Sequence, residues 1–317
     1  MKNFLYVLLT AAKNEEDFIK KTIESVISQS ILPVKWVIVS DASKDGTDDI
    51  IKEYASKYNF IELVRATDQA KRNFASKAFA LNIGYEYLKE INYDFIGILD
   101  ADVSFSPSYY ETMLNKFLLD EKLGITGGVF YDFENGKFYK VTPRYHSVRG
   151  AVQLFRRRCY EDIDLWVPLA TGGIDAYAEL GARQYGWKVR TFDDEEVFHH
   201  RLTGTASSNL IRARFRTGIS EYSLGFYPVF QAMKCLSRLN EKPYIIGTLM
   251  VFLGFWWAKL KKQKRTVPQN FLKFMKKEQK ERIRNVFLYL KSNFFKRPFL
   301  SLTGLTKVLN QNYFEQS

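Results

Sequence analysis

Asp100 and Asp102 stand two residues apart at the end of an apolar run, residues 95–99, where a bend can aim both carboxylates at one divalent ion bridging a diphosphate. Hard oxygen ligands of this kind suit Mg2+ or Mn2+. Asp162-Ile163-Asp164 repeats the spacing without an apolar run before it and reads as an exposed turn. Asp41 directly follows another apolar run and could accept hydrogen bonds from a nucleobase or ribose; an ordinary turn carboxylate is the alternative. Asp45 and Thr47, flanking Gly46, read as caps of the next helix. Asp175 follows Thr171-Gly172-Gly173 at a helix start, so it either caps that helix or, facing a cleft, removes a proton from an incoming hydroxyl. In His199-His200-Arg201 one imidazole could ligate a metal and the arginine could hold phosphate; a surface histidine pair is the alternative. His146 stands alone and reads as structural.

The elements that must position these residues alternate. Strand-like runs at residues 4–9, 34–39, 60–64 and 95–99 are interleaved with helix-like patterns at 16–30, 47–58 and 73–89. That order is the signature of an α/β fold, Rossmann-like, with a mostly parallel central sheet. In such sheets ligands lie at the C-terminal ends of strands, where Thr10 through Glu15, Asp41 and the Asp100/Asp102 pair all fall. Lys71-Arg72-Asn73 and Lys77 precede or open the third helix. Further strands are expected at 125–131 and 138–141 around the turn Glu134-Asn135-Gly136, a helix at 174–185 stopped by Gly186, and a strand at 188–192.

Of the 317 residues, those from 201 onward carry 22 Lys/Arg against five Asp/Glu, a charge of +17 in a chain whose net charge is +12; residues 1–200 are therefore at −5. Such asymmetry expects a catalytic domain over residues 1–202 and a helical, basic, aromatic, membrane-associating region over 203–317. Residues 244–258 form an uncharged run of 15, which as a helix reaches only about 22 Å against a hydrocarbon core of roughly 30 Å. Surface binding without a full span is expected, helped by Trp256 and Trp257 beside Lys259, Lys261, Lys262, Lys264 and Arg265. Leu272, Met275, Ile283, Val286, Leu290 and Phe294 then recur at helical spacing among lysines, the pattern of an amphipathic basic helix. An anionic membrane surface, not nucleic acid, is the expected partner, because the aromatics form stripes instead of isolated stacking platforms. The two cysteines, Cys159 and Cys235, support neither a disulfide framework nor a zinc site.

Taken in order, Thr10-Ala11-Ala12-Lys13-Asn14-Glu15-Glu16, the segment Val37 to Thr47, Lys77 to Gly84, Leu99-Asp100-Ala101-Asp102 and the block from Gly172 to Gly186 resemble the family-2 inverting glycosyltransferases of the GT-A fold, of the bacterial cell-surface polysaccharide type. The resemblance covers roughly residues 3–202. It implies a nucleotide-sugar donor held by Thr10, Glu15, Asp41, Arg72, Lys77, Asp100 and Arg201, a divalent cation at Asp102 with His199 or His200, and Asp175 as general base. The expected membrane location, at the cytoplasmic face, would give the chain a glycan or lipid-linked acceptor. The family's second acid before the base is here Ile174, and its usual first-loop proline is replaced by Ala11 or Ala12. No Gln-x-x-Arg-Trp sequence occurs, so single addition is expected over processive synthesis. A nucleotidyltransferase would need a glycine-rich loop after the first strand, and residues 10–16 contain no glycine. A non-catalytic membrane or nucleic-acid binder would leave the acidic strand ends without a purpose.

Overall fold

The computed structural model describes residues 4–66, 75–163, 169, 172–201, 210–239, 244–265 and 267–294. They fall into two compact units: residues 1–170 with 174–206, and residues 171–173 with 207–317.

The first unit is built on a twisted sheet in the order β3-β2-β1-β4-β8-β6-β9-β5. Its strands are β1 (Tyr6–Ala12), β2 (Lys35–Ser40), β3 (Ile61–Arg65), β4 (Phe95–Leu99), β5 (Val103–Phe105), β6 (Leu123–Glu134), β8 (Val152–Arg156) and β9 (Lys188–His199), with β7 (Lys137–Lys140) paired to β6. β1 through β4 are mutually parallel. β8 enters antiparallel between β4 and β6, and β6 and β9 are again parallel. Period-two alternation decides what each face buries. Tyr6, Leu8, Trp36 and Ile38 point to one side, where they meet Ile19 and Ile23 of α1 (Ile19–Ile27), Ile51 of α2 (Thr47–Ala55), and Tyr110 and Met113 of α4 (Tyr109–Leu119) in a buried cluster. Leu9, Val37 and Val39 point the other way, against α3 (Ala75–Glu86). There the helix lies so close that a Cβ on Gly84 would sit 2.3 Å from Leu9 Cδ1 and 2.7 Å from Val39 Cγ2.

The turn expected at Glu134-Asn135-Gly136 joins β6 to β7, and Asn135 and Gly136 both take positive φ (49° and 81°), the pairing that suits the twist of a two-residue hairpin. Two elements run past their expected limits. β6 continues to Glu134 and β9 to His199. The acidic stretch Asp193-Asp194-Glu195-Glu196 looks like a loop in sequence, yet buried Glu195 is satisfied by the hydroxyls of Ser106, Ser108 (2.8 Å) and Thr112 (2.8 Å). β5, β8, α4 and α5 (Arg157–Ile163) were not anticipated; α6 (Ile174–Gln184) was.

The second unit is helical: α7 (Leu210–Ser223), α8 (Pro228–Ser237), α9 (Tyr244–Leu260) and α10 (Gln269–Phe294). α7 and α9 cross on glycine. A Cβ on Gly218 would lie 2.0 Å from Val251 O, and one on Gly254 would lie 2.0 Å from Phe215 O. The apolar stripe expected to open outward on α10 faces inward over its described part. Met275 and Val286 are buried, and Leu272 lies over Gly225. α9 is the helix that leaves its stripe outside: Ile246, Leu249, Leu253, Trp257 and Leu260, at spacings of three and four, are all exposed. Among the described residues no helix is long and apolar enough to cross a membrane.

Candidate functional site

The loops after β1 and β2 are stitched together by short polar side chains. Asn14 takes a left-handed φ of 54°, and its Oδ1 accepts the Lys44 N–H at 2.9 Å. Glu15 N–H donates to Thr47 Oγ1 (2.7 Å), and Gly46 N–H donates to Glu16 Oε2 (2.7 Å). The Asp45 carboxylate accepts from both N–H and hydroxyl of Thr47, so these two residues shape the turn. What the stitched loops present is Asp41, held by Lys13 Nζ at 2.7 Å, and Glu15, whose Oε1 accepts from Arg201 Nη2 at 2.5 Å.

Thr10 sits elsewhere. It is fully buried, and its hydroxyl accepts the indole N–H of Trp36 at 3.0 Å. Arg72 lies outside the described residues. Lys77, on α3, reaches Asp100 Oδ1 at 2.5 Å. Burial opposes its charge, but Asp100 in contact, with Asp175 and Asp102 farther off, outweighs that and raises its pKa. Asp175 is half-buried in the first turn of α6, and Gly150 makes room for it: a Cβ there would lie 2.7 Å from Asp175 Cβ.

Asp102 is the centre of charge. Its Oδ2 accepts from Arg201 Nε and from His199 Nε2 (3.2 Å), while His199 Nδ1 donates to Asp132 Oδ1 at 3.1 Å. Strand register explains the last contact, since Asp132 on β6 and His199 on β9 are paired neighbours. Arg149 Nη1 closes on the same Asp132 carboxylate at 3.3 Å. Burial would raise the Asp102 pKa, but His199 and Arg201 overcome it and hold the group at about 2. Burial would likewise discharge His199, and its two carboxylates instead lift it to about 9. Glu15 goes the other way: burial, aided by Asp102 and Asp100 against the pull of Arg201, pushes it to about 7.

The histidine neighbours part company, as consecutive residues at a strand end do. His200 Nε2 lies 2.9 Å from Ser104 Oγ, its ring stacks on Phe18, and burial with Lys21 depresses its pKa to about 4. His199, not His200, therefore shares the Asp102 position.

Among the described residues, no three His, Cys, Asp or Glu side chains form a ready cage for a metal ion. The donor chemistry nevertheless fits one. Asp102 Oδ1 and Glu15 Oε2 are buried without a hydrogen-bond partner, and acceptor oxygens with imidazole beside them suit Mg2+ or Mn2+.

Lys13, Asp132 and Arg149 belong to this cluster and were not singled out from sequence. Lys13 was signalled only by lying in the first strand-end loop, and Asp132 only by polar alternation in Tyr131-Asp132-Phe133-Glu134. Arg149 carries no local signal.

A sequence model described as glycosyl transferase family 2 matches residues 8–178. The poly-beta-1,6-N-acetyl-D-glucosamine synthase of Staphylococcus epidermidis is 26% identical over 212 residues, which are 61% of this chain and 47% of that protein. The chain thus spans about half the length of that curated relative. Two solved structures share the fold: S. aureus TarS 1-349 in complex with UDP-GlcNAc (13% identity, 99% of this chain and 93% of that one, TM-score 0.51) and the mannosyltransferase PcManGT from Pyrobaculum calidifontis in complex with GDP-Man and Mn2+ (14%, 98% and 88%, TM-score 0.52).

Proposed function

Because the chain belongs to glycosyl transferase family 2 and is a glycosyltransferase of the GT-A fold, we propose that it moves a sugar from a nucleotide-sugar donor to a glycan or lipid-linked hydroxyl with inversion. The observation that carries this reading is the convergence at the strand ends, where Lys77 bound to Asp100 also senses Asp175 and Asp102. Asp175 takes the proton of the acceptor hydroxyl as that oxygen bonds to the anomeric carbon, and the bond from that carbon to the nucleoside diphosphate breaks. Displacement from the opposite side inverts the centre. Asp41 and Glu15 face the nucleoside, and Lys77 and Arg201 offset charge on the departing diphosphate. Asp102, with His199 beside it, would hold a Mg2+ or Mn2+ ion, which when bound supplies further positive charge to that leaving group. Donor neighbours with UDP-GlcNAc and GDP-Man support the donor class, and the Mn2+ in one of them supports the cation. The absence of a Gln-x-x-Arg-Trp sequence favours single addition. The exposed apolar stripe of α9 beside lysines supports work at the cytoplasmic face of a membrane, on an anionic surface, with no nucleic acid involved.

The test is transfer and slow donor hydrolysis across UDP-, GDP- and dTDP-sugars with Mn2+, for wild type and Asp175→Asn. Removing the carboxylate should cut transfer by about 10²- to 10⁴-fold while donor affinity stays within a few-fold, because the base acts only in the transition state. Transfer by the variant above a tenth of the wild-type rate takes Asp175 out of the base role.

A further inference from the structure

His199 meets Asp132 because β9 carries extra residues before it. Gly128 pairs with Phe192 and Val129 with Glu196, so Asp193, Asp194 and Glu195 have no register partner on β6. Carried on without that shift, the ladder would set Asp132 opposite Glu196, one acid against another. The extra residues are pinned where they leave the ladder. Glu195 is held by the hydroxyls of Ser106, Ser108 and Thr112, and Asp194 by Lys116. The Glu195 carbonyl crosses so close to Gly128 that a Cβ there would lie 2.5 Å from its oxygen. Bulges beside active sites re-aim side chains. This one sets the register in which His199 and Asp132 are neighbours.

Both side chains are buried, and the contact between them is built from two directions. The Asp132 carboxylate accepts from His199 Nδ1 at 3.1 Å, and Arg149 Nη1 stands 3.3 Å from its Oδ1 and 3.4 Å from its Oδ2. The Arg149 guanidinium also lies over the Phe130 ring, 5.2 Å from its centroid, so it is seated on the same strand that carries Asp132. In an imidazole, the bond made by one nitrogen fixes what the other presents. With Nδ1 on Asp132, the nitrogen on the Asp102 side is Nε2, 3.2 Å from Oδ2. We propose that Asp132 and Arg149 are positioning residues: Asp132 holds the His199 ring so that Nε2 can ligate the divalent cation beside Asp102, and Arg149 holds the Asp132 carboxylate in that pose. Carboxylates behind a ligating imidazole orient it and make it a better donor. This rests on the cation reading given above and extends it to the residues behind the ligand.

The experiment uses the full chain with Mn2+ and UDP, GDP or dTDP in turn, read by electron paramagnetic resonance, which counts free Mn2+ and, in its pulsed form, detects nitrogen bound to the ion. Wild type should show a directly bound nitrogen, and His199→Ala should lose it. Asp132→Ala should weaken Mn2+ binding by about 10- to 100-fold and lose the nitrogen signal. Asp132→Asn, which keeps an oxygen for the Nδ1 proton, should restore the signal and most of the affinity. Glu134→Gln removes a charge from the same strand at an exposed position and should change Mn2+ affinity by less than about two-fold. Arg149→Met, at a half-buried position, tests the same chain of contacts without emptying a buried site. Charge alone predicts tighter Mn2+ binding when this cation is removed, whereas loss of positioning predicts binding several-fold weaker. Nucleoside-diphosphate binding in EDTA should stay within a few-fold in every variant, which reports an intact fold. A wild-type nitrogen signal in Asp132→Ala, or tighter Mn2+ binding in Arg149→Met, overturns the positioning role and leaves the cation reading standing. Wild type that binds Mn2+ without a bound nitrogen takes His199 off the ion and overturns the proposal while Asp102 keeps its role. Wild type that binds no Mn2+ overturns both.

Discussion

Single carboxylates in this molecule are tuned in opposite directions by their neighbours, and two of them yield measurable consequences. Asp102 is held at about 2 despite burial because His199 and Arg201 sit on one of its oxygens, leaving Oδ1 for a further cation. Asp102→Ala should weaken nucleoside-diphosphate binding several-fold with Mn2+ present and much less in EDTA, since only the metal-bridged part of the affinity is lost; calorimetric titration in both buffers reads it. If EDTA leaves wild-type turnover unchanged, the metal assignment fails. Glu179 lies one turn beyond Asp175 on α6, accepting from Val148 N–H (2.7 Å) and Ser147 Oγ (3.1 Å). Burial, with Asp175 adding to it and Arg183 opposing, raises its pKa from 4.5 to about 7. A folded pKa above the unfolded one means that the stability it contributes is complete below about pH 4.5 and is lost as pH rises through 7. Wild type should thus lose on the order of 2–3 kcal/mol across that window from this group. Glu179→Gln keeps the acceptor oxygen and no charge, so its Tm should match wild type near pH 4.5 and exceed it by several degrees at pH 8. A constant offset at both pH values would show that burial of charge is not the cause.

Elements obey local rules where neighbours in sequence are neighbours in space, and that determined what could be read in advance. The strands at the start of the chain were legible because each is a short apolar run ending in polar residues, and so were Asp41 and Asp100 at their tips. The hairpin was legible from Asn135-Gly136 alone. β9 was cut short in the reading because the acids of its second half find their partners, Lys116 and three hydroxyls, some 80 residues earlier in the chain. Thr10 was placed toward the nucleoside by analogy, whereas strand alternation turns it under Trp36. Asp132 was invisible as a site residue because its meaning lies in the pairing of β6 with β9. The α7–α9 crossing is of the same non-local kind and is easily tested. A methyl group on Gly254 would meet the Phe215 carbonyl, a backbone atom that cannot rotate away. Gly254→Ala should cost about 1–3 kcal/mol, the usual range for overpacking, read as a lower urea midpoint in tryptophan fluorescence from Trp256 and Trp257. Gly136→Ala meets no atom within 4 Å but would hold alanine at a φ of 81°, so it should cost about 1–2 kcal/mol from backbone strain alone.

At the scale of the molecule, charge and apolar surface are divided as the proposed membrane interface would require. Residues 1–200 carry −5 and residues 201–317 carry +17, so the proposed anionic plane would attract the second half by charge. Met275 and Val286 of the α10 stripe are buried, whereas α9 exposes Ile246, Leu249, Leu253, Trp257 and Leu260 at helical spacing. Leu249 is 50% and Leu253 46% exposed, one turn apart on the same face, with Ile246 and Trp257 extending it. A contiguous exposed patch of this kind marks an interaction surface. With 17 residues the helix is about 26 Å long, short of a roughly 30 Å hydrocarbon core, so it should lie in the interface plane. Leu249→Glu/Leu253→Glu places two acids in that stripe without touching the strand-end cluster. In liposome flotation with anionic lipid the wild-type chain should rise and the variant should stay at the bottom, while both hydrolyse a soluble nucleotide sugar at the same rate. High salt should release part of the wild type, because the lysines contribute through screened charge and the stripe does not. Flotation that survives both salt and carbonate would mean that the chain is embedded more deeply than an in-plane helix allows, and equal flotation of the variant would move the contact away from α9.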